Sequence, residues 1–409
     1  MLKPISISLS PNTESDDILL AFKLQFSSWL WQKGRAIGEL EKRFQDYIGM
    51  NYAASFNSGR SALVAILDSL NLTKDSEVLI QAFTCNAVVN PILWLGLKPI
   101  FIDCSKDTFN VDLDDLRNKI SPNSKVLIVQ HTFGLPSAMD EILRICQEYN
   151  LTLIEDCAHA LGAKFNGRSV GTFGDAAFFS FSRDKVISSV YGGIAITNNE
   201  LLAKTIKDFQ KKIGYPSFGW TFQQLIHPTL MNWIILPTYK TFGKYLLFFF
   251  QWLHVLSKAV HWKEKRGEKP DYFPKRMPNA LAILALNQLK KIERFNNHRE
   301  KIAEFYRTEL KNASFELPPN VEQIYLRFTL KHPRAHEIIR KAWQSNILIG
   351  DWYDSPVAPK DTKLEKIGYQ IGSCPTAEKL SKETFNLPTH INISKKEAQK
   401  IIDFLKQWR

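Results

Sequence analysis

Short strand-like segments alternate with helical segments through the first half of this 409-residue chain. The apolar runs typical of buried strands occupy residues 77–80, 99–103, 125–130 and 151–156, and helical patterns separate them at residues 86–95, 113–119 and 139–149. Strands that alternate with helices form a mainly parallel sheet covered by helices on both faces. The sequence therefore predicts an α/β fold, in which ligands bind at the carboxyl ends of the strands.

Two polar side chains follow the last of these predicted strands. Asp156 ends the segment LTLIED, where burying an unpaired carboxylate is costly. We expect a cationic partner, such as a protonated pyridine nitrogen, or a structural role in a helix cap or ion pair. His159, three residues further on, would either face the same pocket or have the structural role typical of an isolated histidine.

A second polar segment follows the strand-like residues 53–56. It reads Asn-Ser-Gly-Arg-Ser over residues 57–61 and precedes the helical run 62–67. Backbone N–H groups at a helix N-terminus bind phosphate, and a glycine lets the backbone approach an oxygen closely. Because serine and glycine also cap helices, the segment is either a phosphate site or an ordinary cap.

Lys185 lies in a turn between two strand-like runs within residues 172–198. Burial lowers the pKa of an ammonium group, and the neutral amine can then form a Schiff base with a carbonyl. The alternative is an ordinary lysine in a surface turn. Together, a reactive lysine, a buried aspartate and a phosphate-binding helix terminus indicate pyridoxal phosphate, and Ser180 would add a hydroxyl for the phosphate.

At these residues the sequence resembles the DegT/DnrJ/EryC1/StrS family of sugar aminotransferases, which have the fold-type I architecture. The matching segments are residues 57–63, 77–84, 96–103, 155–162, 171–181, 185, 192–193, 276–277, 288–289, 374–378 and 386–388. The resemblance implies a large α/β domain with a seven-stranded, mainly parallel sheet over residues 1–290. A small C-terminal α+β domain would follow over residues 291–409.

The resemblance also implies roles for individual residues. Lys185 would bind the cofactor aldehyde and move protons, Asp156 would pair with the pyridine nitrogen, and His159 would contact the ring-hydroxyl side. These three are the predicted catalytic residues. The predicted cofactor-binding set is Ser58, Gly59, Arg60, Ser61, Cys85, Asp156, Ala158, His159, Ser180 and Lys185. The predicted substrate contacts are Tyr191, Arg276 and Trp352, and no metal site is predicted.

Four positions depart from the family pattern. Arg60 replaces a threonine, Cys85 replaces an aromatic residue that stacks on the pyridine ring, and Tyr191 replaces a glutamate before Gly-Gly. Pro274 replaces an asparagine that reaches the partner subunit's phosphate in relatives. These changes leave the predicted cofactor chemistry in place and bear on the substrate, the amino donor and the dimer contact.

The family implies transfer of an amino group, usually from glutamate, to a keto group on a nucleotide-linked sugar. The context would be cell-surface polysaccharide or glycoconjugate biosynthesis, and the enzyme a homodimer with active sites at the subunit interface. One alternative is another pyridoxal-phosphate reaction on an amino acid, which Tyr191 and Cys85 suggest. Another is a non-catalytic, membrane-associated relative, against which the presence of both Lys185 and Asp156 argues.

Residues 215–274 interrupt the family pattern. The apolar run 245–256 lies between Lys244 and Lys258 and is shorter than the about 20 apolar residues that span a bilayer. Its aromatic and flanking basic residues predict either a core or interface helix, or an in-plane membrane helix with peripheral membrane contact through residues 241–266.

The amino-acid composition indicates which binding partners and which cellular compartment to expect. A net charge of +12 favours anionic partners such as nucleotide diphosphates or acidic membranes, and we do not expect nucleic acid. The five scattered cysteines lack a CxxC pair, which predicts reduced thiols in a cytosol. Residues 1–17 lack the long apolar core of a signal peptide, so we expect a cytoplasmic protein.

Overall fold

Seven strands form the central sheet of the structure, a computed structural model that describes residues 3–408. In chain order the strands are β1 Tyr52–Phe56, β2 Glu77–Gln81, β3 Lys98–Ile102, β4 Ser124–Gln130, β5 Thr152–Asp156, β6 Ala176–Ser180 and β7 Gly193–Thr197. They lie side by side in the order β1-β7-β6-β5-β4-β2-β3. Strand β7 is antiparallel to both neighbours and the remaining pairs are parallel, so the predicted mainly parallel, seven-stranded sheet is confirmed.

Helices cover the sheet and build the C-terminal region. The helical patterns predicted at residues 86–95, 113–119 and 139–149 are confirmed as the helices α4 Asn86–Trp94, α5 Leu113–Lys119 and α6 Met139–Tyr149. The α-helices of the described residues are α1 Ser15–Gln25, α2 Ala36–Ile48, α3 Gly59–Ser69, α4 Asn86–Trp94, α5 Leu113–Lys119, α6 Met139–Tyr149, α7 Glu200–Lys212, α8 Phe218–Leu230, α9 Lys244–Trp252, α10 Asn279–Leu289, α11 Ile292–Leu310, α12 Ala335–Gln344, α13 Pro375–Glu383 and α14 Lys395–Leu405.

The strands are continuous apolar runs because both faces of the sheet are buried. Successive side chains of a strand point to opposite faces. Ala177 and Ile196 accordingly belong to an apolar cluster that includes residues of α2 and α10. Their neighbours Phe178 and Ala195 belong to a second cluster that includes residues of α3 and α4. Because β1 to β6 all run in the same direction, their carboxyl ends lie at one edge of the sheet, and the polar segments follow them there.

The C-terminal region is an α+β unit, as predicted. Strands β8 Arg327–Lys331 and β9 Thr384–Pro388 pair antiparallel, and their apolar residues share a buried cluster with α11, α12 and α14. Two-residue strands connect this region to earlier parts of the chain: Ile5–Ser6 pairs with Ile347–Leu348, and Thr84–Cys85 pairs with Val357–Ala358. The boundary near residue 290 stays a prediction.

Residues 215–274 are mainly helical. Helix α8 is followed by the π-helical segments Met231–Ile235 and Tyr239–Gly243 and then by α9. Gln25 of α1 donates hydrogen bonds of 3.2 Å to the Leu225 carbonyl and 3.1 Å to the Thr229 hydroxyl, which joins α8 to α1. Within residues 3–408, no helix combines the length and apolar character that crossing a bilayer requires.

Candidate active site

Lys185 lies in the loop between β6 and β7, at the carboxyl end of β6. Its backbone N–H donates a hydrogen bond of 3.1 Å to the Ser182 carbonyl. Its own carbonyl accepts a hydrogen bond from the side-chain amide of Asn12, and the next carbonyl, that of Val186, accepts one from buried Arg299. The N-terminal segment and α11 therefore both hold the backbone that carries the lysine.

The amine of Lys185 is in a weakly solvated environment. Desolvation lowers the pKa of Lys185, and the positive charge of Arg327 lowers it further, although Asp184 and Asp156 raise it. The Nζ atom lies 4.6 Å from the centre of the Trp352 ring. A lysine with a lowered pKa has a larger fraction of neutral, nucleophilic amine at neutral pH.

Asp156 is the buried acid of the site. One carboxylate oxygen accepts a hydrogen bond of 3.0 Å from the Ala158 N–H. Burial raises the pKa of Asp156 to about 6, even though this hydrogen bond and the charge of Lys185 lower it. A carboxylate that is costly to ionise is stabilised by a cation placed against it. Asp156 therefore fits a protonated ring nitrogen.

His159 is held flat between aromatic rings. Its centroid is 5.3 Å from that of Trp352 and 5.9 Å from that of Phe133, with nearly parallel planes. Its Nδ1 accepts a hydrogen bond of 3.3 Å from the Phe133 N–H, and its Nε2 is 3.4 Å from the Tyr353 hydroxyl. Burial, with the charges of Lys185 and Arg327, keeps the pKa of His159 well below its usual value. Because Nδ1 accepts the hydrogen bond from Phe133, a neutral imidazole here carries its proton on Nε2.

The N-terminus of α3 meets the end of β6. Ser58 caps the helix by accepting a hydrogen bond of 3.1 Å from the Ser61 N–H, and the Ser61 hydroxyl donates 2.7 Å to Asn57. A Cβ atom added at Gly59 would lie 3.1 Å from the Cβ of Ser180, so a side chain there would crowd this contact. The structure thus brings the helix terminus and the Ser180 hydroxyl together, and their contact with a phosphate stays a prediction.

Arg60 is paired with residues of the insertion. Its Nε lies 2.6 Å from Oε1 of Glu264, and another guanidinium nitrogen donates 3.1 Å to the Ala259 carbonyl. Both Arg60 and Glu264 are buried. This ion pair connects α3 to the insertion, and the predicted contact of Arg60 with the cofactor phosphate stays a prediction.

The other predicted residues fall into two groups. Trp352 lies against both Lys185 and His159. Burial raises the pKa of the Cys85 thiol, and the charge of the nearby Lys185 opposes this rise. Tyr191 instead donates a hydrogen bond of 2.8 Å to the Lys258 carbonyl in the insertion. Arg276 lies over the Tyr215 ring, at 4.7 Å, outside the group around Lys185.

Arg327 is a site residue that the sequence analysis missed. It is buried on β8, its guanidinium carbon lies 3.2 Å from the centre of the Trp352 ring, and one of its nitrogens is 3.3 Å from a carboxylate oxygen of Asp184. Burial lowers the pKa of Arg327 to about 10. The available signal was a single charge within the apolar segment 324–330, where an unpaired arginine would be costly.

Comparison with known proteins identifies the family. The family model for DegT/DnrJ/EryC1/StrS aminotransferases matches residues 12–224 and 252–406. An uncharacterized protein of Methanocaldococcus jannaschii is 27% identical over 397 residues, which cover 93% of this chain and 92% of that protein. The GDP-perosamine synthase of Escherichia coli O157:H7 is 36% identical over 176 residues, 43% of this chain and 48% of that enzyme.

Solved structures share the fold along the whole chain. Helicobacter pylori PseC, an aminotransferase involved in the biosynthesis of pseudoaminic acid, superposes with a TM-score of 0.76 at 19% identity and covers 99% of both chains. The E. coli GDP-4-keto-6-deoxy-D-mannose-3-dehydratase with bound hydrated pyridoxal phosphate also gives 0.76, at 20% identity over 98% of this chain and 100% of that one. This chain belongs to the DegT/DnrJ/EryC1/StrS aminotransferase family and has its fold-type I architecture.

Proposed function

We propose that this protein is a pyridoxal-phosphate-dependent aminotransferase that moves an amino group from glutamate to the keto group of a nucleotide-linked sugar. The observation that carries the proposal is that Lys185 follows β6 at the same end of the sheet at which Asp156, buried, ends the neighbouring parallel strand β5, with the pKa of the lysine lowered by desolvation. Family membership supports the cofactor. The similarity to a GDP-perosamine synthase supports a nucleotide sugar as the acceptor.

The residues present fit this cofactor. The N-terminus of α3, with the hydroxyls of Ser58 and Ser180, would hold the phosphate, because free N–H groups and the helix dipole favour an anion there. Asp156 would hold the ring nitrogen in its protonated form. When bound, pyridoxal phosphate supplies an aldehyde that reacts with amines and a ring that withdraws electrons.

The chain's own side chains would supply positioning and proton transfer. The neutral amine of Lys185 would take a proton from the substrate carbon that bears the nitrogen and deliver it to the former aldehyde carbon of the cofactor, on the other side of that nitrogen, as a general base and then a general acid. Trp352 stacks on His159 beside the amine, and the two rings would limit the access of water to it. Arg327, the cation beside Lys185, would attract the carboxylate of the amino acid donor.

A spectroscopic and product assay tests the proposal. Purified protein is mixed with pyridoxal phosphate, and its visible absorbance is compared with that of Lys185→Ala and of a control, Lys125→Ala, at an exposed position. We expect a visible band that requires Lys185 and that L-glutamate removes. Addition of nucleotide diphosphate keto sugars should then restore the band and give an amino sugar detectable by mass spectrometry.

Each other outcome points to a different function. A band that amino acids change, with no amino sugar from any nucleotide sugar tested, would favour another reaction on an amino acid. A deoxygenated keto-sugar product would indicate a dehydratase. Absence of a Lys185-dependent band would contradict the catalytic proposal and favour a non-catalytic relative.

A further inference from the structure

Helix α9 carries a row of aromatic side chains on its outer side. Tyr245, Phe248, Phe249 and Trp252 follow the spacing i, i+3, i+4, i+7, so they lie on one face of the helix. Their exposed fractions are 63%, 69%, 49% and 73%. We call these four residues the aromatic face. Leu247 and Phe250, on the other side, pack against a buried cluster within the insertion. The aromatic face is therefore not the side that anchors α9 to the protein.

More large apolar side chains of the same insertion are also exposed. A soluble surface usually carries such residues singly, and a concentration of them marks a protein-binding or membrane-binding surface. Tryptophan and tyrosine in particular favour the boundary between lipid and water. The additional exposed side chains are Trp233, Ile234, Phe242, Leu253 and Trp262.

The charge of the insertion favours an anionic partner. Residues 215–263 contain four lysines and no aspartate or glutamate. Three of these lysines, Lys240, Lys244 and Lys258, are exposed, and none of the three forms an ion pair within residues 3–408. Glu264, the first acidic residue after this stretch, is buried against Arg60. An isologous contact between two copies would bring lysines of equal charge together, which disfavours self-association through this face.

We propose that α9 binds the surface of an anionic lipid membrane, with the aromatic face inserted at the boundary between head groups and acyl chains. The helix would lie parallel to the membrane plane, because its nine residues cannot cross the bilayer. Lys240, Lys244 and Lys258 contact the anionic head groups. This interaction is independent of the reaction proposed above.

The inner side of α9 lies next to the active site. Leu247 and Gln251 line a cavity of about 190 Å³ together with Ser182, Asp184 and Tyr191. Asp184 is the residue before Lys185. Since an α-helix with its side chains is about 10 Å across, membrane binding through the outer side holds this cavity about one helix diameter from the lipid surface.

Vesicle co-sedimentation of the full-length protein tests the proposal. Vesicles of phosphatidylcholine alone are compared with vesicles containing an equal part of phosphatidylglycerol. We expect binding to the anionic vesicles that weakens as salt increases, because the lysines contribute through screened charge. The variant F248S/W252S should lower the vesicle-bound fraction at least about tenfold, since it removes two inserted aromatic side chains. A charge variant, K240Q/K244Q/K258Q, should lose the preference for anionic vesicles.

The control is L201S/I371S, which removes two exposed apolar residues outside the insertion, 78% and 82% exposed, and should bind as the wild type does. Circular dichroism and the Lys185-dependent absorbance band confirm that each variant is folded. Failure of the wild type to bind anionic vesicles, or equal binding by F248S/W252S, would overturn the proposal. So would a dimer in sedimentation velocity that F248S/W252S converts to monomer without any vesicle binding, since the face would then join two copies.

Discussion

The guanidinium of Arg299 donates a hydrogen bond of 2.8 Å to the carbonyl oxygen of Val186, the residue after Lys185. It also donates 2.8 Å to the side-chain oxygen of Asn12, which in turn donates to the Lys185 carbonyl. Arg299 is fully buried, and burial lowers its pKa to about 9. The geometry of the lysine loop therefore depends on one arginine of α11 and one asparagine of the N-terminal segment.

Replacement of Arg299 by methionine should destabilise the protein and weaken cofactor binding. The change leaves at least two buried oxygen atoms without a donor, and each costs about 1–3 kcal/mol, so the free energy of unfolding should fall by about 3 kcal/mol. Urea unfolding measures this loss, and a pyridoxal-phosphate titration measures the affinity. Arg299→Lys should partly restore the affinity. Exposed Arg144→Met is the control, and an affinity unchanged in Arg299→Met would contradict a positioning role.

Asp156→Asn should stabilise the cofactor-free protein while removing activity. The pKa of Asp156 is about 6 when folded against an ordinary 3.8, so the folded state holds the proton more tightly and stability falls as pH rises between these values. A pKa difference of about 2 is worth about 3 kcal/mol. The free energy of unfolding of the variant should exceed that of the wild type by up to this amount at neutral pH, and the two should be equal below pH about 4.

Unfolding of the cofactor-free proteins across this pH range measures the difference. The exposed Asp403→Asn variant controls for the loss of a charge and should follow the wild type at every pH. A constant gap between Asp156→Asn and wild type from acid to neutral pH would mean that titration of Asp156 does not cause it.

Arg327→Gln should raise the pKa of Lys185. The arginine charge lowers that pKa, and removal of the arginine also frees Asp184, whose carboxylate raises it. The pH at which a carbonyl reagent reacts half-maximally with the lysine should therefore rise. Asp184→Asn should shift it in the opposite direction. Identical midpoints in the wild type and both variants would show that the ion pair between Arg327 and Asp184 does not affect the pKa of Lys185.

The pair between Arg60 and Glu264 should behave as a coupled buried ion pair. Either Arg60→Met or Glu264→Gln alone should reduce the free energy of unfolding by about 3–5 kcal/mol, because a buried charge is left uncompensated. The free energy of unfolding of the double variant should fall by much less than the sum of the two single losses. Additive losses in this double-mutant cycle would contradict the pairing.

The same variants test the predicted phosphate contact of Arg60. If the guanidinium also reaches the cofactor phosphate, Arg60→Met weakens pyridoxal-phosphate binding more than Glu264→Gln does. Equal pyridoxal-phosphate affinities of the two variants would mean that Arg60 contacts the insertion and not the phosphate. The comparison is made by titration of the Lys185-dependent absorbance band.

The sheet and the ends of its strands were predictable because they follow from local pattern and topology. Strands buried on both faces must be apolar, and parallel strands bring the residues after them to one edge, which is how Asp156 and Lys185 come together. The pair formed by Arg327 and Asp184 was not predictable in this way. Its members are 143 residues apart, and only tertiary packing of β8 against the lysine loop brings them together.

Local sequence was also insufficient for Arg60 and for α9. The segment around Arg60 predicts a phosphate ligand, but in the structure Arg60 forms an ion pair with buried Glu264 of the distant insertion. The apolar run at residues 245–256 predicts a helix without saying which side is covered. In the structure the run contributes Leu247, Phe250 and Leu256 to a buried cluster and also carries the exposed aromatic face, and contact of that face with a membrane stays a proposal.

The contacts of the N-terminal segment set the order in which a newly made chain can become active. Ile5–Ser6 pairs with Ile347–Leu348, and Asn12 connects Arg299 with the lysine loop. Because translation runs from the N-terminus to the C-terminus, the segment leaves the ribosome long before its partners exist. The contacts that hold the N-terminal segment and the loop around Lys185 are therefore complete only after residue 348 has been added.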